Sequence, residues 1–131
     1  MEDTVFPSVS HGQDYGWQAL EFFNSLCSQN SFFWGLCLLV NKTGCVVNDD
    51  YCIFPDMASD DLDDHFDGVL FGIGDSEVIV SEEFFFRVLK EACVNYLALD
   101  RNDGQDVIEI MNSKLCFVEL GKEDVRSSAP E

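Results

Sequence analysis

The side chains with the most evident chemical potential in this sequence are carboxylates, and they are concentrated in one stretch. Residues 43–86 contain twelve Asp and Glu residues and no Lys or Arg. The first 86 residues carry sixteen acids against a single base, Lys42, whereas residues 87–131 carry nine acids and six bases. Crowded like charges oppose compaction, and such a field is commonly used to attract positive charge. The pattern therefore predicts a basic protein partner first and a bound cation second.

The acidic segments do not have the order of a calcium loop. Ca²⁺ takes about six to eight oxygen ligands, which in an EF-hand come from fixed positions of a twelve-residue loop. In residues 56–67 no Gly follows an alternating Asp series, and no Glu closes the loop. The segment that begins at Asp100 has Met111 at its twelfth position. We therefore predict no metal ion and no cofactor, and we interpret residues 56–67 as a partner-facing acidic surface or a solvated loop.

Histidine and cysteine are the remaining candidates for catalysis or metal binding. His65 lies beside Asp64 and four residues after Asp61, a spacing that could hold Zn²⁺ or orient a general base. A single His in a charged loop is, however, typical of a solvated side chain. The cysteines show no C-x-x-C spacing, several lie in apolar runs, and we interpret them as buried free thiols in preference to a disulfide framework or a metal site. They are Cys27, Cys37, Cys45, Cys52, Cys93 and Cys116.

Composition limits the class of protein. A chain of 131 residues with 47% hydrophobic residues, twelve of them Phe, is large enough and apolar enough to fold as one domain despite a net charge of −18. This charge disfavours direct contact with nucleic-acid phosphates and anionic membranes. The start, Met-Glu-Asp-Thr, lacks the regions of a signal peptide, and the apolar run 31–40 is too short to span a bilayer. We expect a soluble, cytoplasmic protein.

The periodicity of apolar residues predicts a small α+β domain over residues 1–131, with loose tails at 1–12 and 121–131. N-terminal helices come first, short antiparallel strands occupy the middle, and C-terminal helices pack on the sheet. The predicted helices are one beginning at Asp14, one over 32–40 (a buried strand being the alternative), one following Ser81, and one over 106–113. The predicted strands are 45–47, 51–54, 66–74, 77–80 and 115–120.

The helix after Ser81 has the strongest local signals. Ser81 is a residue type that caps helix N-termini, and Glu82 and Glu83 fall in the first turn, where the helix dipole favours negative charge. Phe84 and Phe86 flank a predicted buried stripe, so one of them could be an exposed interface anchor. The stripe comprises Phe85, Val88, Leu89, Ala92, Tyr96 and Leu97.

Two stretches resemble bacterial toxin-immunity proteins, in particular those of contact-dependent growth inhibition. They are Asp-Asp-Tyr-Cys-Ile-Phe-Pro at 49–55 and Phe-Asp-Gly-Val-Leu-Phe-Gly-Ile-Gly-Asp-Ser-Glu-Val-Ile-Val-Ser-Glu-Glu-Phe at 66–84, which continues into the helix as far as Tyr96. The resemblance covers residues 14–113. It implies a small cytoplasmic protein that neutralises a cognate toxin, commonly a basic nuclease, by occluding or distorting its active site. It brings no catalytic residues, and binding faces differ between members.

The sequence therefore favours an immunity protein, not an enzyme, that binds its toxin through acidic residues, with tight binding supplied by anchors such as Tyr51, Phe54 or Phe84. A DNA-mimic inhibitor of a DNA-binding protein is the alternative, and an enzyme or metal-binding regulator is a third possibility. The predicted partner-binding residues are Asp49, Asp50, Asp56, Asp60, Asp61, Asp63, Asp64, Asp67, Asp75 and Glu77.

Overall fold

A four-stranded antiparallel sheet lies at the centre of the fold, with its strands side by side in the order in which they occur along the chain. The computed structural model describes residues 4–6 and 15–115. Two-residue turns close the first and third connections, and each begins with a residue of positive φ, Asn48 at 55° and Gly74 at 59°, residue types that tolerate this conformation. The strands are β1 (Cys45–Val47), β2 (Asp50–Ile53), β3 (Val69–Ile73) and β4 (Ser76–Val80).

Helices precede and follow the sheet, as predicted. The longest helix begins where the sequence places its cap, because the Ser81 side chain accepts a hydrogen bond of 3.0 Å from the amide of Phe84. A π-helical turn, Met111–Leu115, follows the last helix. The helices are α1 (Trp17–Ser28), α2 (Phe32–Leu39), α3 (Glu82–Leu97) and α4 (Gly104–Ile110).

The hydrophobic core lies between the helices and one face of the sheet. Phe22 of α1 and Phe85 of α3 both contact Phe71 of β3, at ring-centroid distances of 5.5 and 6.1 Å. All three rings are fully buried, and aromatic pairs at such distances add to the stabilisation from burial. The helix-facing side chains of the sheet alternate with those of the opposite face, as strand geometry requires.

The α+β class and the order of elements are confirmed, and so is the helix over 32–40 in preference to a strand. Other boundaries differ from the prediction. The first helix begins at Trp17 with Gly16 at the N-cap position, whereas Asp14, the predicted cap, lies outside the described residues. Strand β3 is shorter than predicted because Gly68, at φ 123°, precedes it. Of the predicted strand 115–120 only Leu115 is described, in the π-helical turn; the rest and the tail 121–131 lie outside the described residues.

Residues 4–6, part of the arm expected to be loose, are packed against the domain, so the expectation is wrong for these three residues. Val5 is buried, and the Asn24 side chain accepts hydrogen bonds from the amides of Val5 and Phe6 at 3.0 and 2.8 Å. The same side chain donates to the Phe6 carbonyl, and Asn95 donates to the Val5 carbonyl at 2.8 Å. The side chains of Asn24 and Asn95 thus make the backbone hydrogen bonds that a neighbouring strand would otherwise make with this segment.

Candidate partner-binding surface

The fold distributes the ten predicted carboxylates over two ends of the sheet. The connection from β2 to β3 lies at one end, and antiparallel pairing places the β1–β2 and β3–β4 turns together at the other. Asp49 and Asp75 occupy these turns, while Asp50 and Glu77 lie on strands. The other six occupy the connection, which we call the acidic loop (residues 54–68): Asp56, Asp60, Asp61, Asp63, Asp64 and Asp67.

The acidic loop is ordered by its own hydrogen bonds. The Asp56 amide donates to the Asp64 carbonyl at 2.8 Å, which closes the loop. The Asp61 side chain accepts from the Asp63 amide at 3.0 Å and caps a short 3₁₀ turn, Leu62–Asp64. The Ser59 hydroxyl donates to the Asp64 carboxylate at 2.6 Å. Three carboxylates are therefore used inside the loop, since Asp56 also accepts from a loop amide.

His65 stabilises the same loop. Its Nε2 lies 2.8 Å from the Ser59 carbonyl, so this nitrogen donates and the ring bridges the loop. The remaining three carboxylates, on Asp60, Asp63 and Asp67, are exposed and accept no hydrogen bond from the described residues. The loop thus exposes the carboxylates of Asp60, Asp63 and Asp67, while its other polar side chains hold its conformation by hydrogen bonds.

Asp50 differs from the other nine acids because it points to the helical side of the sheet. Its carboxylate accepts a hydrogen bond of 2.5 Å from the Ser25 hydroxyl of α1. In the same cross-strand row, the Ser76 hydroxyl accepts from the Gln18 amide of α1 at 2.9 Å. These two contacts attach α1 to one end of the sheet, so the Asp50 carboxylate stabilises the fold.

No described Lys, Arg or His forms an ion pair with any of the ten acids. Lys42, the only base among the first 86 residues, pairs instead with Glu82 at 3.1 Å. Strands β1 to β4 and the acidic loop contain no Lys or Arg at all. In the described part of the chain, the ten acids are therefore not neutralised by direct ion pairs.

The face of the sheet turned away from the helices is largely apolar, and sequence reasoning did not identify it as a site. No described helix covers it, and three of its aliphatic side chains are strongly exposed: Val46 at 62%, Ile53 at 43% and Ile79 at 44%. We call it the outer face. It consists of two cross-strand rows, Val46–Tyr51–Gly72–Glu77 and Ile53–Leu70–Ile79. The available signal was that Leu70, Ile53 and Ile79 are apolar on the side where an open antiparallel sheet is typically polar.

Tyr51 and Glu77 form the polar centre of the outer face. The Tyr51 ring crosses Gly72, where a Cβ atom would overlap the ring, and its hydroxyl donates to the Glu77 carboxylate. This hydrogen bond is the main reason that the pKa of Tyr51 is raised above its ordinary value. The Glu77 side chain is exposed and its second oxygen faces no described base.

The other predicted anchors pack inward. Phe54 contacts Phe85 of the core at 5.4 Å between ring centroids. Phe84 packs against Tyr15 at 5.1 Å, and the Arg87 guanidinium lies 5.0 Å from its ring centre. Phe84 and Phe86 are both half-buried against the core, so neither is the exposed anchor expected from the sequence.

The described thiols do not form a reactive site. Cys27, Cys45, Cys52 and Cys93 are buried, Cys37 is half-buried, and these five thiols form no disulfide with one another. Burial raises the pKa of Cys45 to about 11 and that of Cys93 to about 12, so both thiols are protonated and weakly nucleophilic at neutral pH. No group of three or more His, Cys, Asp or Glu in the described part of the chain is placed to hold a metal ion. Cys116 lies outside the described residues.

A polar cleft of about 280 Å³ lies beside the end of α3, and several of the side chains that line it bind one another. The Tyr96 hydroxyl donates to Asp103 at 2.6 Å, and the Arg101 guanidinium lies 5.6 Å from the Tyr96 ring centre. None of the helices in residues 15–115 is long and apolar enough to cross a membrane.

Comparison with known families gives a match over most of the chain. Residues 16–111 match the family described as CDI immunity protein, where CDI is contact-dependent growth inhibition. The match spans α1 to the start of the π-helical turn and therefore includes the sheet, the acidic loop and the outer face. No curated protein matches the chain.

Proposed function

Because the chain belongs to the CDI immunity proteins, a family that neutralises cognate toxins, we propose that this member neutralises its toxin by binding it and blocking its active site. It acts in the cytoplasm as a binding protein without catalytic activity. Its partner is a basic nuclease domain, and its acidic surface blocks the active site of that domain. Lys and Arg side chains are common phosphate-binding groups of nucleases, and carboxylates presented by an inhibitor can pair with the same side chains.

The observation that carries this proposal is the unneutralised charge. The ten predicted acids lie at the ends or on the outer face of the sheet, Asp50 being the one whose carboxylate binds Ser25 of α1, and none has a described basic partner. Such a field can raise association rates with a basic partner from about 10⁵–10⁶ to about 10⁸–10⁹ M⁻¹s⁻¹ at low salt. Rapid capture suits an inhibitor that must act before the toxin reaches nucleic acid.

The direct test is inhibition of the cognate toxin, to be sought first as a C-terminal domain encoded by the gene immediately upstream. Equimolar immunity protein should abolish cleavage of DNA or RNA by that domain, and added nucleic-acid substrate should compete with the immunity protein. Binding without inhibition would contradict active-site blocking. Binding to several unrelated DNA-binding proteins, competed by DNA, would favour the DNA-mimic alternative.

The acidic loop supplies the sharpest variant. Asp60→Asn, Asp63→Asn and Asp67→Asn together remove three charges that make no described hydrogen bond, so the loop should keep its conformation. We expect the association rate at low salt to fall about tenfold and its dependence on salt to flatten, because steering is electrostatic. Stopped-flow measurements of association from low to physiological salt would show both effects.

The matched control removes three exposed acids from α3 and α4: Glu91→Gln, Asp106→Asn and Glu109→Gln. The change in net charge is the same, so only position differs. Equal slowing by both triple variants would mean that the total charge steers the toxin and that the acidic loop has no special part.

A further inference from the structure

The outer face is an apolar sheet surface that the described helices leave open. Ile53, Leu70 and Ile79 pair directly across three strands. Since neighbouring strands lie about 4.8 Å apart, their side chains form a continuous strip about 10 Å long. Exposed aliphatic side chains in a contiguous row, rimmed by polar residues, are characteristic of protein interaction sites.

The charge around this strip indicates what it binds. The acidic loop begins directly after Ile53 and ends just before β3, so it borders the aliphatic row at one end of the sheet. Asp49 and Asp75 border the opposite end, and Glu77 lies between. No Lys or Arg occurs in the strands or in these connections. A partner that fits this face has an apolar centre surrounded by basic side chains.

We infer that the outer face is the docking surface for the toxin: the Ile53–Leu70–Ile79 row forms the desolvated centre of the interface, and Glu77 receives a Lys or Arg of the toxin. This inference rests on the proposed function, and it identifies the residues that make binding of the toxin tight. Electrostatic steering by the acidic loop sets the association rate of the toxin, whereas burial of the aliphatic row sets the dissociation rate of the complex.

Tyr51 orients the Glu77 carboxylate on the outer face for this role. Its ring lies flat over Gly72 and its hydroxyl holds one oxygen of Glu77, so the carboxylate is oriented before the partner arrives. Orientation before binding reduces the entropy lost when an interface forms.

The test replaces exposed aliphatic side chains in the full chain. Ile53→Thr with Ile79→Thr removes the two outer members of the row while keeping residues that favour strands. The control, Val94→Thr with Ile108→Thr, removes two aliphatic side chains that are 57% and 37% exposed on α3 and α4. Surface plasmon resonance with the toxin domain should show a Kd about tenfold or more weaker for the first pair, through faster dissociation, and wild-type values for the control.

A second pair of variants tests the charge at the centre. Glu77→Lys should weaken binding more than Glu91→Lys, an equal change of charge on the exposed surface of α3. Equal effects would overturn the assignment of Glu77.

The outcomes separate this inference from the proposed function. If the wild-type chain neither binds nor inhibits the toxin, the proposed function fails, and the inference with it. If it binds but the Ile53/Ile79 variant matches wild type, the inference alone is wrong. Light scattering and unfolding measurements on both double variants without toxin decide whether the chain itself covers the face. A dimer lost only in the Ile53/Ile79 variant, or a much greater loss of stability than in the control, would assign the face to a second copy or to another segment of this chain and overturn the inference.

Discussion

Single residues in this protein have effects that depend on partners distant in sequence. The Tyr51 ring can lie across the sheet because Gly72, its pairing partner on the neighbouring strand, has no Cβ atom. Asn24 lies buried in α1, and its one amide group satisfies two amides and a carbonyl of residues 4–6. The missing side chain of Gly72 allows the Tyr51 ring to approach, and the short amide side chain of Asn24 allows residues 4–6 to approach.

Replacing Glu77 should change the titration of Tyr51. Hydrogen bonding to Glu77 raises the pKa of Tyr51, which means that the folded state holds the phenolic proton more tightly than the unfolded state. The pair therefore stabilises the fold below the ordinary tyrosine pKa of 10.0, and this contribution is lost as the pH rises through the raised value. Glu77→Gln should lower the pKa of Tyr51, measured as tyrosinate absorbance against pH.

Gly72→Ala should act in the same direction, because a Cβ atom displaces the ring from its hydrogen-bond partner. Glu83→Gln, which removes an exposed acid from α3, should leave the tyrosine titration as it is in the wild type. A titration unchanged in both the Glu77→Gln and the Gly72→Ala variants would contradict the hydrogen bond.

At the scale of elements, local sequence signals set the start of α3, whereas long-range packing sets the position of α1. Helix α3 has its own start signal, since Ser81 caps it and Glu82 and Glu83 lie in its first turn. Helix α1 has neither feature: Gly16 occupies its N-cap position at φ 75°, its first turn has no acid, and its place is set by contacts with the sheet.

Removing the cap of α3 should destabilise the protein. Ser81→Ala deletes the acceptor for the Phe84 amide and should lower the free energy of unfolding by about 1 kcal/mol, measured by urea denaturation. Ser31, at the N-cap position of α2, is the control because its side chain accepts no capping hydrogen bond. Ser31→Ala should therefore cost less, and an equal loss for both substitutions would show that the Ser81 cap has no specific effect.

At the scale of the whole molecule, the net charge of −18 opposes folding and favours binding. The apolar core outweighs the repulsion, because buried aromatic and aliphatic side chains from both layers meet at Phe71. The acids that repel one another most freely lie on exposed loops and turns, where a basic partner can neutralise them.

Salt should consequently stabilise the isolated protein. Raising the ionic strength from about 0.01 to 0.15 M shortens the screening length from about 30 to 8 Å, which weakens repulsion between the two ends of the sheet. We expect the thermal midpoint, followed by circular dichroism, to rise by a few degrees, and to rise less in the Asp60/Asp63/Asp67→Asn variant. A midpoint that falls with added salt would show that attractive charge pairs dominate instead.

Much of the fold could be predicted because its signals are local. The cap and buried stripe of α3, the turns at Asn48 and Gly74, and the strand alternation in residues 69–73 depend on neighbours a few residues away. The start of α1 could not be predicted, because it begins at a left-handed glycine packed against Phe84. The role of Asp50 could not be predicted either, since its partner Ser25 belongs to another element.

The sequence alone determined that the chain is acidic, that residues 43–86 contain twelve acids and no Lys or Arg, and that the apolar residues suffice for a core, since residue type and spacing are sufficient for these properties. The tertiary structure decided which carboxylates are engaged within the fold and which are exposed. It also decided that helices cover one face of the sheet and, in the described residues, leave the other open. Burial depends on which elements pack together, and that choice is made by contacts between residues far apart in the chain.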